Sequence, residues 1–188
     1  MKIVLIGDSI RMGYQPLVAA KYKEFDVWGT AENCRHSLWA LDHFSKWVAD
    51  QNPDVVHVNF GIHDANILPD GHHQILLPQY RLCLQRFIDK VKELGNTRMI
   101  WATTTPLYTP EEEKPMVEWQ TRTNAEIKDY NAAALGIVQR EGLPVNDLHE
   151  AIIRNDFSRC LIEDGCHMSE FGNQVLVDAV ANAIDSLK

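Results

Sequence analysis

Short apolar runs alternate along this chain with longer amphipathic stretches. Five runs read as strands: Lys2–Ile6, Phe25–Trp28, Val55–Phe60, Arg98–Thr103 and a short Pro144–Asn146. Their β-branched and aromatic content suits strands buried in a sheet. Between them, Tyr80, Leu84, Phe87, Ile88, Val91 and Leu94 recur at three and four residues, which predicts a helix with one buried face. The same spacing links Ile127, Tyr130, Ala134, Ile137 and Val138. It returns in Phe171, Val175, Ala179, Val180, Ala183, Ile184 and Leu187. Ser37 is placed to cap a further helix running through Val48, with Leu38, Leu41, Phe44 and Val48 turned inward.

Strand–helix alternation of this kind predicts an α/β fold, a parallel sheet covered by helices on both faces. Sites in such sheets form at the carboxyl ends of the strands. Ser9 follows the first strand and Gly61-Ile62-His63-Asp64 follows the third, so both fall on one edge. At 188 residues the expectation is one domain, residues 1–188, with a sizeable core. A formal net charge of −8 argues against nucleic acid or an anionic membrane as partner. There is no apolar run long enough for a membrane span and no signal-peptide pattern, so the expected location is cytoplasmic. Cys34, Cys83, Cys160 and Cys166 form no Cys-x-x-Cys pair and are expected as reduced thiols.

The first strand ends in Gly7-Asp8-Ser9, which delivers one hydroxyl to the sheet edge. A serine hydroxyl is a weak nucleophile at neutral pH and needs a base, for which histidine titrates in the right range. The imidazole in turn needs a carboxylate to fix its tautomer. Asp164-Gly165-Cys166-His167, just before the last helical stretch, supplies both at a spacing that a turn can bring to one side. Alone, Asp-x-x-His is a weak signal. Paired with a strand-end serine at the other terminus it becomes specific.

These two blocks, with Arg11-Met12-Gly13-Tyr14 after the first and Met168-Ser169-Glu170-Phe171-Gly172 after the second, resemble the SGNH hydrolases, also called the GDSL family. The resemblance implies a three-layer α/β/α sandwich with a flavodoxin-like five-stranded parallel sheet. It implies an esterase that works through Ser9, His167 and Asp164. Two middle blocks depart from the family pattern. His63 stands where an asparagine is expected to donate to the oxyanion, and a neutral imidazole can still donate one N–H. Arg35 stands where a glycine backbone N–H is expected, in the register Ala31-Glu32-Asn33-Cys34-Arg35-His36-Ser37. With the Ser9 N–H, these complete the implied oxyanion hole. Arg35 either donates its N–H there, faces outward, or meets an acidic part of a substrate. Asn33 is a further polar candidate for substrate binding.

No metal or organic cofactor is expected. His36, His43, His57, His72, His73 and His149 show no ligand spacing, and His57 reads as a core histidine. A small domain with no evident lid suggests a short acyl group such as acetyl, and the resemblance makes an acetylated carbohydrate the preferred substrate class. The departures at His63 and Arg35 keep a non-catalytic ligand-binding module open, and acyl transfer to an acceptor other than water is the other alternative. Leu107 to Trp119, with two prolines and three consecutive glutamates, reads as an exposed loop. Trp101, Tyr108 and Trp119 are either a sugar-binding rim or packing residues, and the loop Leu68 to Pro78 is a second candidate border.

Overall fold

The computed structural model describes residues 1–107 and 122–187. Five parallel strands, β1 (Lys2–Ile6), β2 (Asp26–Trp28), β3 (Val55–Asn59), β4 (Arg98–Ala102) and β5 (Val145–Asn146), lie in the order β2-β1-β3-β4-β5. Each expected strand is present, shortened by a residue at one end in β2 to β5. Ile3 pairs with Val55 and Ile6 with Val58, and Val55 in turn sits opposite Arg98. Ile3, Val4, Leu5, Ile6, Val55, Val56 and Val58 have no solvent exposure. Burying each such side chain is worth about 1.5–3 kcal/mol, which makes the central strands a rigid base for the loops at their carboxyl ends.

Helix α1 (Ser9–Lys21) connects β1 to β2, whereas α4 (Leu77–Glu93) and α5 (Asn124–Arg140) connect β3 to β4 and β4 to β5. The first crossover moves one way along the sheet and the others move the opposite way. Right-handed connection then puts α1 on one face and α4 with α5 on the other. The contacts agree: α1 packs on the last helix, α8 (Glu170–Asp185), and α4 packs on α5. The order reverses between β1 and β3, which opens a crevice at their carboxyl ends. No helix among the described residues is long and apolar enough to cross a membrane.

The helix expected from a Ser37 cap through Val48 is broken. α2 (Ser37–Asp42) and α3 (Phe44–Trp47) meet at His43, and His36 is the cap, its Nδ1 accepting the Trp39 N–H at 3.2 Å. Ser37 cannot cap because its hydroxyl is given to Asp64. Leu38 points outward at 42% exposure, while Ala40, Phe44, Trp47 and Val48 fill the core. At the start of α8 the inward stripe is displaced by one position, with Gly172 and Leu176 buried in place of Phe171 and Val175, while Val180 and Ile184 are buried as expected. Gly172 lies against the Cys160 backbone so closely that a Cβ would come within 2.0 Å of its carbonyl oxygen. That close approach leaves Phe171 at 36% exposure, beneath the Arg159 guanidinium. Trp101 is not on any rim: it is fully buried on β4, edge-on to Phe60. Tyr108, Trp119 and most of the loop after Leu107 lie outside the described residues.

His57, on β3, is fully buried and meets the Asn146 side chain through Nε2 at 3.0 Å. Burial lowers its pKa from 6.5 to about 4. The unfolded chain therefore binds this proton before the folded one, and stability is lost as the pH falls through that window. Between pH 7 and pH 4 the loss from His57 alone is expected to be about 3 kcal/mol. Urea titrations of wild type and His57→Gln across that range should converge as the pH falls. Parallel pH curves would show that His57 does not govern the acid limb.

Candidate active site

β1 runs into Gly7, then Asp8 caps α1 by accepting the Ile10 N–H on Oδ1 at 2.9 Å. Asp8 is fully buried, and burial raises its carboxyl pKa against the pull of that N–H and of Arg122 and Arg11. Ser9 is the first residue of α1 and remains partly exposed. Its N–H has no acceptor within the helix. Two residues on, the buried Arg11 guanidinium donates to the carbonyls of Gly7, Thr30 and Glu32, at 3.1, 2.7 and 2.9 Å for the shortest contacts. It ties the serine turn to the loop after β2. The Cys34 N–H adds a 3.2 Å bond to the Gly7 carbonyl.

At the other terminus a turn between Leu161 and Met168 folds Asp164 and His167 onto one side. Asp164 Oδ1 accepts the N–H groups of Cys166 and His167, both at 2.9 Å, and Oδ2 meets His167 Nδ1 at 2.5 Å. Partial burial raises the Asp164 pKa, but the bonds from the His167 ring, Cys166 and the His167 backbone outweigh it, and the carboxyl titrates below its ordinary value. A carboxylate on Nδ1 places the ring proton there and leaves Nε2 to accept. Nε2 lies 2.8 Å from Ser9 Oγ. Ser9 near one end of the chain and His167 and Asp164 near the other thus form one hydrogen-bonded line from hydroxyl to imidazole to carboxylate. Ser169 then caps α8 and fixes the turn's exit.

Two residues beyond the third strand comes Gly61, whose φ of 137° suits glycine and where a Cβ would come within 2.3 Å of Thr104 Oγ1. That tight turn presents His63. Burial lowers the imidazole pKa to about 4, with Arg122, Arg35 and His167 acting in the same direction, so the ring is neutral at ordinary pH. Arg122 also donates to the Ile62 carbonyl at 3.1 Å and to Asn66 Oδ1 at 2.9 Å. It braces the turn from the far side.

Arg35 adopts φ 51°, the left-handed conformation that favours glycine, at the position where the family pattern has one. Its N–H is directed to Asn33 Oδ1 at 2.7 Å, rather than standing open as an oxyanion donor. Asn33 therefore uses its side-chain oxygen inside the loop. The Arg35 guanidinium lies over the Trp39 ring, 5.2 Å from its centre. In the loop after Asn66, His73 turns toward the Ala65 carbonyl and the Tyr130 ring, while His72 is exposed. All four cysteines are buried and unpaired. Burial raises the Cys166 pKa to about 12, so this thiol beside His167 stays protonated and is no rival nucleophile.

Arg11, Arg122 and Asn66 are site-building residues that the sequence pattern did not single out. A buried arginine two residues after the serine carries no periodic signal. Arg122 reaches the site only through the fold.

A parallel α/β/α sandwich with serine, imidazole and carboxylate in one line at its carboxyl edge is the arrangement found in serine-hydrolase-type sites. Residues 5–175 match the model of the GDSL-like lipase/acylhydrolase family, and the chain belongs to that family. A rice protein named GDSL esterase/lipase WDL1 (Oryza sativa subsp. japonica) is 28% identical over 79% of the chain, which spans 60% of the rice protein's length. The human isoamyl acetate-hydrolyzing esterase 1 homolog is 26% identical, covering 93% of this chain and 77% of its own. Among solved structures, a lipase/acylhydrolase from Enterococcus faecalis superposes with a TM-score of 0.80 at 26% identity, covering 98% of this chain and 95% of its own. The acetyl xylan esterase AlAXEase superposes with a TM-score of 0.78 at 18% identity, covering 98% and 100%.

Proposed function

We propose that this chain hydrolyses short-chain acyl esters, acetyl esters foremost, with Ser9 as nucleophile. The observation that carries the reading is the placement of His167 between Ser9 Oγ and Asp164 Oδ2. Ser9 Oγ attacks the ester carbonyl carbon while His167 Nε2 takes its proton, and Asp164 steadies the imidazolium. The oxyanion that forms is held by the Ser9 N–H and the neutral His63 ring. The Arg35 N–H can contribute only by sharing its hydrogen bond with Asn33, so it carries the smaller part. Collapse expels the alcohol, which takes the proton from His167. Water then attacks the acyl-enzyme with His167 again as base and releases the acid. Each step moves a proton at an atom already in the hydrogen-bonded line, and none calls for a metal or organic cofactor.

The acetyl preference draws support from the human relative, named for an acetate ester, and from acetyl xylan esterases among the structures of the same fold. An acetylated carbohydrate is accordingly the natural substrate class in this reading. Aryl esters from acetyl to octanoyl test the acyl length. The kcat/KM is expected to be highest for acetyl or propionyl and to fall with longer chains. A maximum at octanoyl would contradict the short-chain reading. Acetate release from acetylated xylan tests the alcohol side. Including an alcohol acceptor in the same assay shows whether the acyl group passes to water, as proposed, or to the acceptor.

A further inference from the structure

Asp64 lies outside the Ser9–His167–Asp164 line, directly after His63, and its carboxyl is fully buried. The Ser37 N–H reaches Oδ1 at 3.0 Å and Oδ2 at 3.1 Å, and the Ser37 hydroxyl donates to Oδ1 at 2.5 Å. Ser37 follows Arg35 by two residues and opens α2. One buried carboxylate thus joins the turn that presents His63 to the loop that presents Arg35. Its own backbone is braced as well, because the Asp64 carbonyl accepts the Ile75 N–H at 3.2 Å. Burial raises the Asp64 pKa to about 7 against the pull of the Ser37 bonds. Among the described residues, Asp8 on the serine turn, Tyr80 and Cys83 on α4, and Tyr130 on α5 interact with it electrostatically. Burying a carboxylate is costly unless it is well hydrogen-bonded, and this one stands where two site-bearing loops meet.

We propose that Asp64 is a positioning residue of the oxyanion site: by holding Ser37 it locks the Arg35 loop to the His63 turn and keeps the donors beside Ser9 at their spacing. The proposal rests on the serine-esterase reading above. Misplacing a site group by about 1 Å costs on the order of 100-fold in rate, so the lock acts on kcat.

The test is aryl acetate hydrolysis by wild type, Asp64→Ala, Asp64→Asn, Ser37→Ala, the Asp64→Ala/Ser37→Ala double variant and Ser9→Ala. Asp64→Ala and Ser37→Ala are each expected to lower kcat by about 10- to 100-fold with KM within about twofold. The double variant should lose no more than the worse single variant, because both remove one link. Asp64→Asn should recover part of the loss, since its amide oxygen still accepts the Ser37 N–H. Ser37→Ala keeps that N–H bond and carries the test if Asp64→Ala does not fold. Single variants within twofold of wild-type kcat, or losses that multiply in the double variant, would overturn the proposal. Activity lost in Ser9→Ala but kept in Asp64→Ala overturns the lock and leaves the serine reading standing. Activity kept in Ser9→Ala overturns both.

Discussion

Ser9→Ala is expected to lower aryl acetate turnover by about 10,000-fold or more, with the fold and the binding of substrate unchanged. The size of the effect reflects the group removed. Without the hydroxyl no acyl-enzyme forms, and the imidazole at 2.8 Å has no proton to take. The remaining donors still polarise the ester carbonyl, so a residual rate above that in buffer is expected. Because Ser9 sits at a helix start capped by Asp8 rather than in the core, its loss leaves a methyl group in a partly exposed position. Thermal melting within a few degrees of wild type should accompany the lost turnover. His167→Ala should fall to a similar floor, and combining the two should cost little more, since they act as one unit. Turnover of Ser9→Ala within tenfold of wild type would remove the serine from the mechanism.

His63 carries the second large effect. Its ring is partly buried, neutral, and close enough to His167 for that charge to weigh on its titration. On the proposed donor role, His63→Ala should lower kcat by about 100- to 1,000-fold, with KM little changed. His63→Asn places an amide N–H on the same turn and should recover most of that loss. The pH profile adds an independent check. With a pKa of about 4, the wild-type ring stays neutral across pH 5 to 9 and donates one N–H throughout. His63→Asn should therefore keep the wild-type profile over that range. Equal rates in the alanine and asparagine variants would mean that His63 fills space and does not donate.

Much of the fold is legible in the chain because the strands announce themselves. Runs such as Lys2–Ile6 are apolar without interruption, and no other element buries that pattern so simply. The helix from Ser37 departs from its expected form for a local reason. The sequence shows a serine where a cap belongs, but nothing in it says that a carboxylate 27 residues away takes the hydroxyl. Phe171 misleads through size: the helix turns a glycine inward because a backbone lies against it. The serine, histidine and aspartate are readable because their chemistry constrains residue type, and the family resemblance supplies their order along the chain. The supports are not. Arg11 and Arg122 act through carbonyl groups of residues far along the chain, and carbonyls leave no trace in residue identity. At Arg35 the sequence and the backbone agree only in part. The left-handed conformation expected of a glycine is there, while its N–H is directed to Asn33.

The central claim is that Ser9 is a nucleophile activated by His167. Intact-mass analysis after exposure to an aryl fluorophosphonate tests it without assuming a substrate. Wild type is expected to gain one adduct, mapped to Ser9, while Ser9→Ala gains none and His167→Ala reacts far more slowly. An unmodified wild-type protein, or an adduct carried by another residue and retained in Ser9→Ala, would contradict the account.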